Sequence, residues 1–318
     1  MKVLVTGAAG FIGGTTIEYL LEEGHQVVAL DDLSSGQVGN IPQGVEFIHG
    51  KCGDEALAPR YRGVEACIHF AARIEAGESM IRPEEHFENN SGETFRLLRI
   101  LVGMGVDRFV YSSSCAVYGT AKAVLKESDP TVPESPYGQS KLIVEQGLRW
   151  LTQQGRIRGA SLRYFNAAGG IPSHPERHNP ETHLIPLALA VANGDRPKLS
   201  IFGSDYDTPD GTCIRDYIHV SDLARAHIAA LVALDVNQHL TVNLGTGIGH
   251  SNREVVQMVR DVTRKTFSVD FVERRAGDPA SLIADNTLAL QIMNWSPYES
   301  SVQQIVEDAW RGYQELRA

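Results

Sequence analysis

The sequence predicts an α/β fold, built on a doubly wound parallel sheet with a smaller C-terminal α/β lobe. Over the first 165 residues, short apolar segments alternate with helical patterns. Several of these segments are apolar throughout, which is typical of parallel strands covered by helices on both faces. A glycine-rich turn follows the first segment directly. The predicted strands are 2–6, 26–30, 45–49, 65–70, 108–113 and 159–165.

The second half of the chain predicts two interleaved units. After residue 167 the pattern loosens into loops rich in proline and histidine, and a helix at 183–193 and the strand KLSIF follow. A helix at 220–234 and a strand at 241–245 are expected to return to the first sheet. We therefore expect one domain from residues 1–166 plus about 220–246. The second lobe comprises about 167–219 and 247–318, and ends in an amphipathic helix from Val302.

Composition excludes several classes of protein. The chain has 318 residues, 42% hydrophobic and 21% charged, with a formal net charge of −10. This charge disfavours nucleic acid as a partner. We expect no membrane association and a cytoplasmic location, because neither a long apolar stretch nor a signal sequence is evident. The cysteines have no metal-binding spacing, so we expect reduced thiols and no metal at Cys52, Cys67, Cys115 and Cys213.

The glycine-rich turn predicts a dinucleotide site of the Rossmann type. Gly7, Gly10 and Gly13 lie between a strand and a helix, where they permit a tight turn and the approach of a pyrophosphate to the helix N-terminus. Asp31, at the end of the second strand, is placed to bind a ribose hydroxyl and would repel the 2′-phosphate of NADP. The predicted cofactor is therefore NAD. Asp54 either reaches the adenine or caps a helix.

A tyrosine and a lysine share one helix face near residue 140. Ser135 and Pro136 are good N-cap and first-turn residues, so Tyr137 and Lys141 should form an i, i+4 pair. An isolated pair of this kind is common by chance, but Ser114 ends the fifth strand at the same edge of the sheet as the glycine turn. The three side chains therefore predict a catalytic group.

These motifs resemble the extended short-chain dehydrogenase/reductase superfamily. Further segments resemble the UDP-glucose 4-epimerase family in order along the chain: HFAARIEAGESM, ENN, SSSCAVYG, PYGQSK, RYFNAAG, IFGSDYDTPDGTCIRDYIHV and RRAGDPASLIAD. The resemblance implies an NAD-dependent isomerase that interconverts UDP-glucose and UDP-galactose, and a homodimer paired through helices near 84–104 and 138–153. It implies cofactor contacts by Phe11, Ile12, Phe70, Ala71, Ala72, Asn89, Tyr137 and Lys141.

The resemblance also implies substrate contacts in the second lobe. Arg215 and Arg275 would hold the UDP pyrophosphate, and Asp278 a uridine ribose hydroxyl. The remaining contacts would come from Ser114, Asn166, His183, Ile201, Phe202 and Leu282. Leu282 either limits the bulk of the sugar's C2 substituent or packs the lobe's core. His183 replaces the family's asparagine and either donates a hydrogen bond to the ligand or faces solvent.

One departure concerns the cofactor site, where Ile74 stands in place of a frequent family lysine and follows Arg73. Either Arg73 supplies the charge or the cofactor phosphate has one contact fewer.

The expected mechanism is a transient oxidation at C4 of the sugar. Tyr137 would act as acid/base, with its phenolate stabilised by the charge of Lys141, and Ser114 would donate a hydrogen bond to the 4-oxygen. Alternatives are a 4-epimerase of UDP-N-acetylhexosamine or UDP-uronate, a dehydratase or decarboxylase, and a catalytically silent NAD-binding protein. Cys115 and Ala116 stand where dehydratases carry an Asp-Glu pair, which disfavours elimination.

Overall fold

A computed structural model describes residues 1–119, 124–178, 180–275 and 278–317. Its strands are β1 (Lys2–Thr6), β2 (Gln26–Asp31), β3 (Glu46–His49), β4 (Ala66–His69), β5 (Arg108–Ser114), β6 (Val124–Leu125), β7 (Arg158–Tyr164), β8 (Asn166–Ala168), β9 (Gly170–Ile171), β10 (His174–Pro175), β11 (Leu199–Phe202), β12 (Ile214–His219), β13 (His239–Leu244), β14 (Gly249–Ser251), β15 (Val269–Val272) and β16 (Ser281–Ala284). Its α-helices are α1 (Phe11–Glu22), α2 (Ala76–Ser79), α3 (Pro83–His86), α4 (Glu93–Gly103), α5 (Pro136–Gln153), α6 (Leu184–Ala192), α7 (Val220–Ala233), α8 (Asn252–Thr263), α9 (Thr287–Met293) and α10 (Val302–Glu315).

Seven strands form the central parallel sheet, in the order β13-β7-β5-β4-β1-β2-β3. The six strands predicted in the first 165 residues all lie in it, each within one residue of its expected bounds. Apolar clusters cover both faces: one includes Ile17 of α1 and Leu223 of α7, and the other includes Leu97 of α4 and Val144 of α5. The sheet is therefore buried on both sides, which explains why its strands are continuously apolar.

The strand order reverses between β1 and β4, which is where ligands bind in a doubly wound sheet. Thr6, the last residue of β1, is paired with His69, the last residue of β4. The turns that follow these two strands therefore lie side by side. The fold class is the one that the sequence predicts.

The helix predicted at 84–104 is broken into three pieces. Residues Pro83–His86 and Glu93–Gly103 are α-helical, and Phe87–Gly92 between them form a π-helical turn. Such turns are rare and often mark functional positions. The helix predicted to start at Ser135 is confirmed, because the Ser135 hydroxyl accepts a hydrogen bond from the Gly138 backbone N–H at 3.1 Å.

The second lobe has its own apolar core and smaller sheets. Strands β14, β12, β16 and β6 are neighbours in one sheet, β8 also pairs with β12, and β11 pairs with β15. Helices α6, α8 and α10 bury Ile185, Val255 and Ile305 in one cluster. This lobe therefore presents its sheets beside the carboxyl ends of the central strands, through β12 and β8.

No helix among the described residues is long and apolar enough to cross a bilayer.

Candidate functional site

The glycine turn between β1 and α1 leaves no room for side chains. Gly7 has φ +65, and a Cβ there would lie 2.6 Å from the Ala71 backbone nitrogen. A Cβ on Gly13 would lie 2.1 Å from the Gly7 carbonyl oxygen. Gly10 is the N-cap residue of α1 and makes no side-chain hydrogen bond to the N–H groups of the first turn. The turn has the features of an anion-binding helix N-terminus.

Asp31 ends β2 beside this turn and is 8% exposed. Its carboxylate accepts hydrogen bonds from the backbone N–H groups of Ala9, at 2.9 Å, and Leu33, at 2.8 Å. Burial raises the pKa of Asp31, while these two hydrogen bonds oppose the rise. The carboxylate is thus fixed next to the glycine turn, and each oxygen retains a lone pair for a ribose hydroxyl.

Asp54 lies at the start of a short 3₁₀-helix, Glu55–Tyr61. Its carboxylate accepts a hydrogen bond from the Ala56 backbone N–H at 2.9 Å, so the capping interpretation describes its geometry. A contact with the adenine stays a prediction.

The expected cofactor residues after β4 and at the start of α1 adjoin the glycine turn. Phe70, Ala71 and Ala72 follow β4 and are partly buried. Phe11 and Ile12 open α1, where Phe11 is 7% exposed and Ile12 packs on the core.

The π-helical turn places Asn90, the neighbour of the predicted cofactor residue Asn89, at the centre of a hydrogen-bond network. Asn90 is 1% exposed. Its side chain accepts a hydrogen bond from the Arg73 backbone N–H at 2.8 Å. It donates hydrogen bonds to the Arg73 backbone carbonyl at 3.0 Å and to Ser140 Oγ at 3.1 Å. Asn89 is partly buried and donates to Asn90 Oδ1 at 3.1 Å. Asn90 therefore ties the segment after β4 to α5, a role that the sequence analysis missed.

The guanidinium of Arg73 has an ion-pair partner within the chain. Its guanidinium lies 2.6 Å from a carboxylate oxygen of Glu85, and the Ile74 side chain is exposed. Both alternatives for the cofactor phosphate stay predictions.

Ser114 and Tyr137 meet at the carboxyl end of β5. Ser114 ends the strand, and its hydroxyl accepts a hydrogen bond from the Ala116 N–H at 3.2 Å. Burial raises the pKa of Tyr137 to about 12, and a hydrogen bond with the Ser114 side chain opposes this rise. Two members of the predicted catalytic group therefore lie close enough for the Ser114 side chain to affect the pKa of Tyr137.

Lys141 lies one helical turn after Tyr137, as the spacing predicts, but burial keeps the pKa of the phenol above its usual value. Its side chain is 2% exposed, and Nζ donates to the Ser112 carbonyl at 2.8 Å and lies 5.8 Å from the Tyr137 ring centroid. Burial lowers the pKa of Lys141 to about 7, with Glu145 opposing the change. The expectation of a depressed tyrosine pKa is wrong for the protein alone, because burial disfavours the charged form of both groups.

A buried ion pair supports this helix from behind. Glu145, one turn after Lys141, receives hydrogen bonds from Arg163 Nε at 2.9 Å and Nη2 at 2.6 Å and from the Ser113 hydroxyl. Arg163 also donates to the Tyr118 hydroxyl at 2.9 Å. Glu145 was not predicted from the sequence, because its partners come from β5 and β7.

His227 of α7 was not predicted, and it lies against the same site. Its ring centroid is 4.5 Å from that of Phe70 and 5.8 Å from that of Tyr164. Nδ1 bonds to the Leu223 carbonyl at 2.8 Å, while Nε2 is buried and has no hydrogen-bond partner among the described residues. Burial lowers the pKa of His227 to about 4, so the ring is neutral.

Four of the predicted substrate residues lie in two pairs of the second lobe. Arg215 lies 3.8 Å from an Asp278 carboxylate oxygen and donates to the Pro279 carbonyl at 2.9 Å. The Arg275 guanidinium lies 3.9 Å from the centroid of the Phe202 ring. Two cations thus lie among groups that can bind an anionic, aromatic ligand.

Ile201, Asn166 and Leu282 differ in exposure. Ile201 is 2% exposed within the lobe's core, so its side chain faces away from the Phe202 side of β11. Asn166 is partly buried and donates to the Asp216 carbonyl at 3.0 Å. Leu282 is partly buried, lies opposite Arg215 in the β12–β16 register and packs on the same cluster as Cys115. Both interpretations of Leu282 fit this position.

His183, just before α6, lies in a group of charged side chains. Its Nδ1 lies 2.8 Å from a carboxylate oxygen of Glu181 and 3.2 Å from one of Glu176. Burial favours the neutral ring, but these carboxylates outweigh it and raise the pKa of His183 to about 9. The side chain remains 40% exposed.

The doubly wound sheet, the uncapped glycine turn and the Ser114–Tyr137–Lys141 group are together the features of a dinucleotide-dependent α/β enzyme. The sequence profile of the NAD dependent epimerase/dehydratase family matches residues 3–245. A UDP-glucose 4-epimerase of Halalkalibacterium halodurans is 44% identical, across 99% of this chain and 96% of that protein. One from Corynebacterium glutamicum is 42% identical, across 98% and 95%. The crystal structure of UDP-glucose 4-epimerase from Brucella ovis in complex with NAD has a TM-score of 0.94, with 41% identity and 98% of both chains covered. The chain belongs to the NAD dependent epimerase/dehydratase family, and within it to the UDP-glucose 4-epimerases.

Proposed function

We propose that the protein interconverts UDP-glucose and UDP-galactose through a transient 4-keto sugar, with NAD as its resident cofactor. The observation that carries this proposal is the placement of Ser114 at the end of β5, at the ligand-binding edge of the central sheet, together with Tyr137 and a buried Lys141 on consecutive turns of α5. The likeness to UDP-glucose 4-epimerases over nearly the whole chain supports it.

The residues around the glycine turn fit NAD. Gly7, Gly10 and Gly13 would admit the pyrophosphate against the N-terminus of α1, and Asp31 would accept hydrogen bonds from a ribose. The carboxylate of Asp31 disfavours a 2′-phosphate at the same place. Bound NAD supplies a hydride acceptor that returns the hydride within the same turnover, so the enzyme has no need to release it.

Tyr137 is the group that moves the proton of the sugar's 4-hydroxyl. Its phenolate accepts this proton during oxidation and its phenol returns it during reduction. Ser114 would hold the phenol and donate a hydrogen bond to the same sugar oxygen. Lys141 stabilises the phenolate when charged, and its short bond to the Ser112 carbonyl fixes the ammonium in the site.

The second lobe would bind the nucleotide part of the substrate. We assign the pyrophosphate to Arg215 and Arg275, the uracil to the Phe202 face of β11, and a ribose hydroxyl to Asp278. His183 and Asn166 complete the set as hydrogen-bond donors. Ile201 can contribute only backbone atoms, because its side chain is buried.

This assignment divides the chain as the sequence analysis predicts. Residues 1–166 and about 220–246 would form the NAD-binding Rossmann domain, since β13 pairs with β7 at the edge of the central sheet and α7 packs on α1. Residues of about 167–219 and 247–318 would bind the UDP-sugar.

We also propose a homodimer that pairs through α4 and α5. These helices pack closely, since a Cβ on Gly147 would lie 2.3 Å from the Phe95 ring. On the same helices Trp150 is 67% and Phe95 36% exposed, which is the apolar surface that a two-fold interface buries. Light scattering should give twice the chain mass of 34.8 kDa; a monomer at micromolar concentration would contradict the dimer.

The four cysteines are free thiols, which supports a cytoplasmic location for the enzyme.

The direct test of the function is incubation of the purified protein with UDP-galactose. Chromatography should reveal UDP-glucose of unchanged mass. A product lighter by one water would identify a dehydratase. In a parallel incubation with a UDP-uronate, release of carbon dioxide would identify a decarboxylase. An unchanged substrate with correctly folded, NAD-loaded protein would reject the proposal.

A further inference from the structure

Two glutamates and two histidines converge between β10 and α6, outside the proposed acid–base group. One ligand atom from each of Glu176, His178, Glu181 and His183 lies within 4.8 Å of the others. In the described part of the chain, this is the only group of three or more such residues close enough to share one ion.

The histidines and glutamates of this group are joined by hydrogen bonds, whose lengths approach the ligand–ligand separations in a metal's coordination shell. Glu176 Oε1 lies 3.2 Å from Nδ1 of His178 and 3.2 Å from Nδ1 of His183, and Glu181 Oε1 lies 2.8 Å from the latter. Zinc binds imidazole nitrogen and carboxylate oxygen at about 2.0–2.2 Å, so neighbouring tetrahedral ligands lie roughly 3.4 Å apart. Only small movements are needed to place an ion among the four atoms.

Glu176 provides a second, independent observation. Its side chain is 5% exposed, and its Oε2 atom has no hydrogen-bond partner among the described residues. A buried carboxylate oxygen without a partner is costly. A cation bound at Oε1 would offset the cost of burying the charge of this carboxylate.

We propose that Glu176, His178, Glu181 and His183 form a structural site for one divalent transition-metal ion of the zinc class. Imidazole nitrogen selects zinc over magnesium and calcium, which prefer oxygen ligands. The two carboxylates balance the ion's charge, and four protein ligands close the tetrahedral shell, as in structural zinc sites.

The position of the site indicates what the ion does. The ring of His178 packs edge-on against Phe11 at the first residue of α1, with 6.2 Å between the centroids. His183 lies immediately before α6. The ion therefore clips the segment between β10 and α6 to the N-terminus of α1 and to the start of a helix in the second lobe.

The test uses the full chain, stripped with a chelator and returned to buffered Zn²⁺, Co²⁺, Mg²⁺ or Ca²⁺. Zn²⁺ should bind at one equivalent per chain and raise Tm by about 5 °C at a free concentration of about 100 times Kd, while Mg²⁺ and Ca²⁺ should leave Tm unchanged. Glu176→Gln and His178→Asn should each weaken Zn²⁺ binding by more than about 100-fold. His25→Asn is the matched control, since His25 pairs with Glu23 at 3.9 Å elsewhere on the chain.

Two results would overturn the proposal: no Zn²⁺-dependent rise in Tm of the wild type, or the same rise in Glu176→Gln and His178→Asn. If either variant does not fold, the Co²⁺ spectrum of the wild type decides. Strong visible bands of four-coordinate Co²⁺ without thiolate charge-transfer absorption support the site, and thiolate absorption or six-coordinate Co²⁺ contradicts it.

Discussion

Replacing Lys141 with methionine should slow the enzyme strongly at neutral pH and hardly at all at alkaline pH. In the folded protein the pKa of Tyr137 is about 12 and that of Lys141 about 7, both because of burial. Nζ lies 5.8 Å from the tyrosine ring centroid. With this distance taken as the separation of the two charges, an effective dielectric of about 20 gives about 3 kcal/mol of attraction, which lowers the pKa of the phenol by about two units while the lysine is charged.

The two groups therefore titrate as a pair. At pH 7 about half of the pairs have lost their first proton, and about one molecule in 2,000 carries the phenolate beside a charged lysine. In Lys141→Met, only the tyrosine titrates, and about one in 10⁵ is phenolate at pH 7. If turnover follows the phenolate population, the variant is about 50-fold slower at pH 7 and about 2-fold slower at pH 9.

The assay measures turnover from pH 6 to 10. NAD and substrate are both saturating, so that weaker binding of either does not affect the measured rate. Lys126→Met is the control, because Lys126 is 64% exposed and lies 3.7 Å from Asp285 on the surface; its profile should match the wild type. If the turnover of Lys141→Met were the same fraction of wild-type turnover at every pH, the reasoning would be refuted, because Lys141 would then only anchor ligands.

Three further predictions follow from single side chains. Tyr137→Phe removes only the proton-carrying oxygen and should lower kcat by at least about 100-fold with UDP affinity retained; near-normal turnover would exclude Tyr137 as the acid/base. Arg163→Met leaves Glu145 buried and unpaired, and urea denaturation should give a free energy of unfolding about 3–5 kcal/mol lower. As a contrast, Arg60→Met breaks an exposed pair with Glu46 at 3.3 Å and should lower the free energy of unfolding by under about 1 kcal/mol. Equal losses of stability in the two variants would contradict this contrast. The wild type should prefer unacetylated UDP-hexoses by roughly 5- to 150-fold in kcat/KM, and Leu282→Ser should narrow the gap; no change on substitution would refute a gating role.

The sheet and the catalytic helix could be predicted because their signals are local. Continuous apolar runs mark strands that are buried on both faces, as in β1 and β5. Ser135 and Pro136 mark a helix start, and the i, i+4 spacing then fixes the relation of Tyr137 to the lysine one turn later.

The parts that the sequence did not predict depend on tertiary contacts. A π-helical turn decides that Asn90, and not its neighbour Asn89, reaches across to α5. The pKa values of Tyr137 and Lys141 depend on burial, which the spacing of the pair does not reveal. Glu176, His178, Glu181 and His183 are close in sequence, but their spacing matches no regular zinc motif, so the sequence alone did not predict that their ligand atoms converge.

The measurement that tests the central claim most directly is epimerisation of UDP-galactose in D₂O, with the product's C4 examined by NMR and mass spectrometry. If the C4 hydrogen leaves as a hydride to NAD and returns to the opposite face, the UDP-glucose formed carries no deuterium at C4. Deuterium at C4 in step with turnover would show that the hydrogen leaves as a proton, and would contradict the oxidation and return of hydride on which the roles of Tyr137, Lys141 and Ser114 rest.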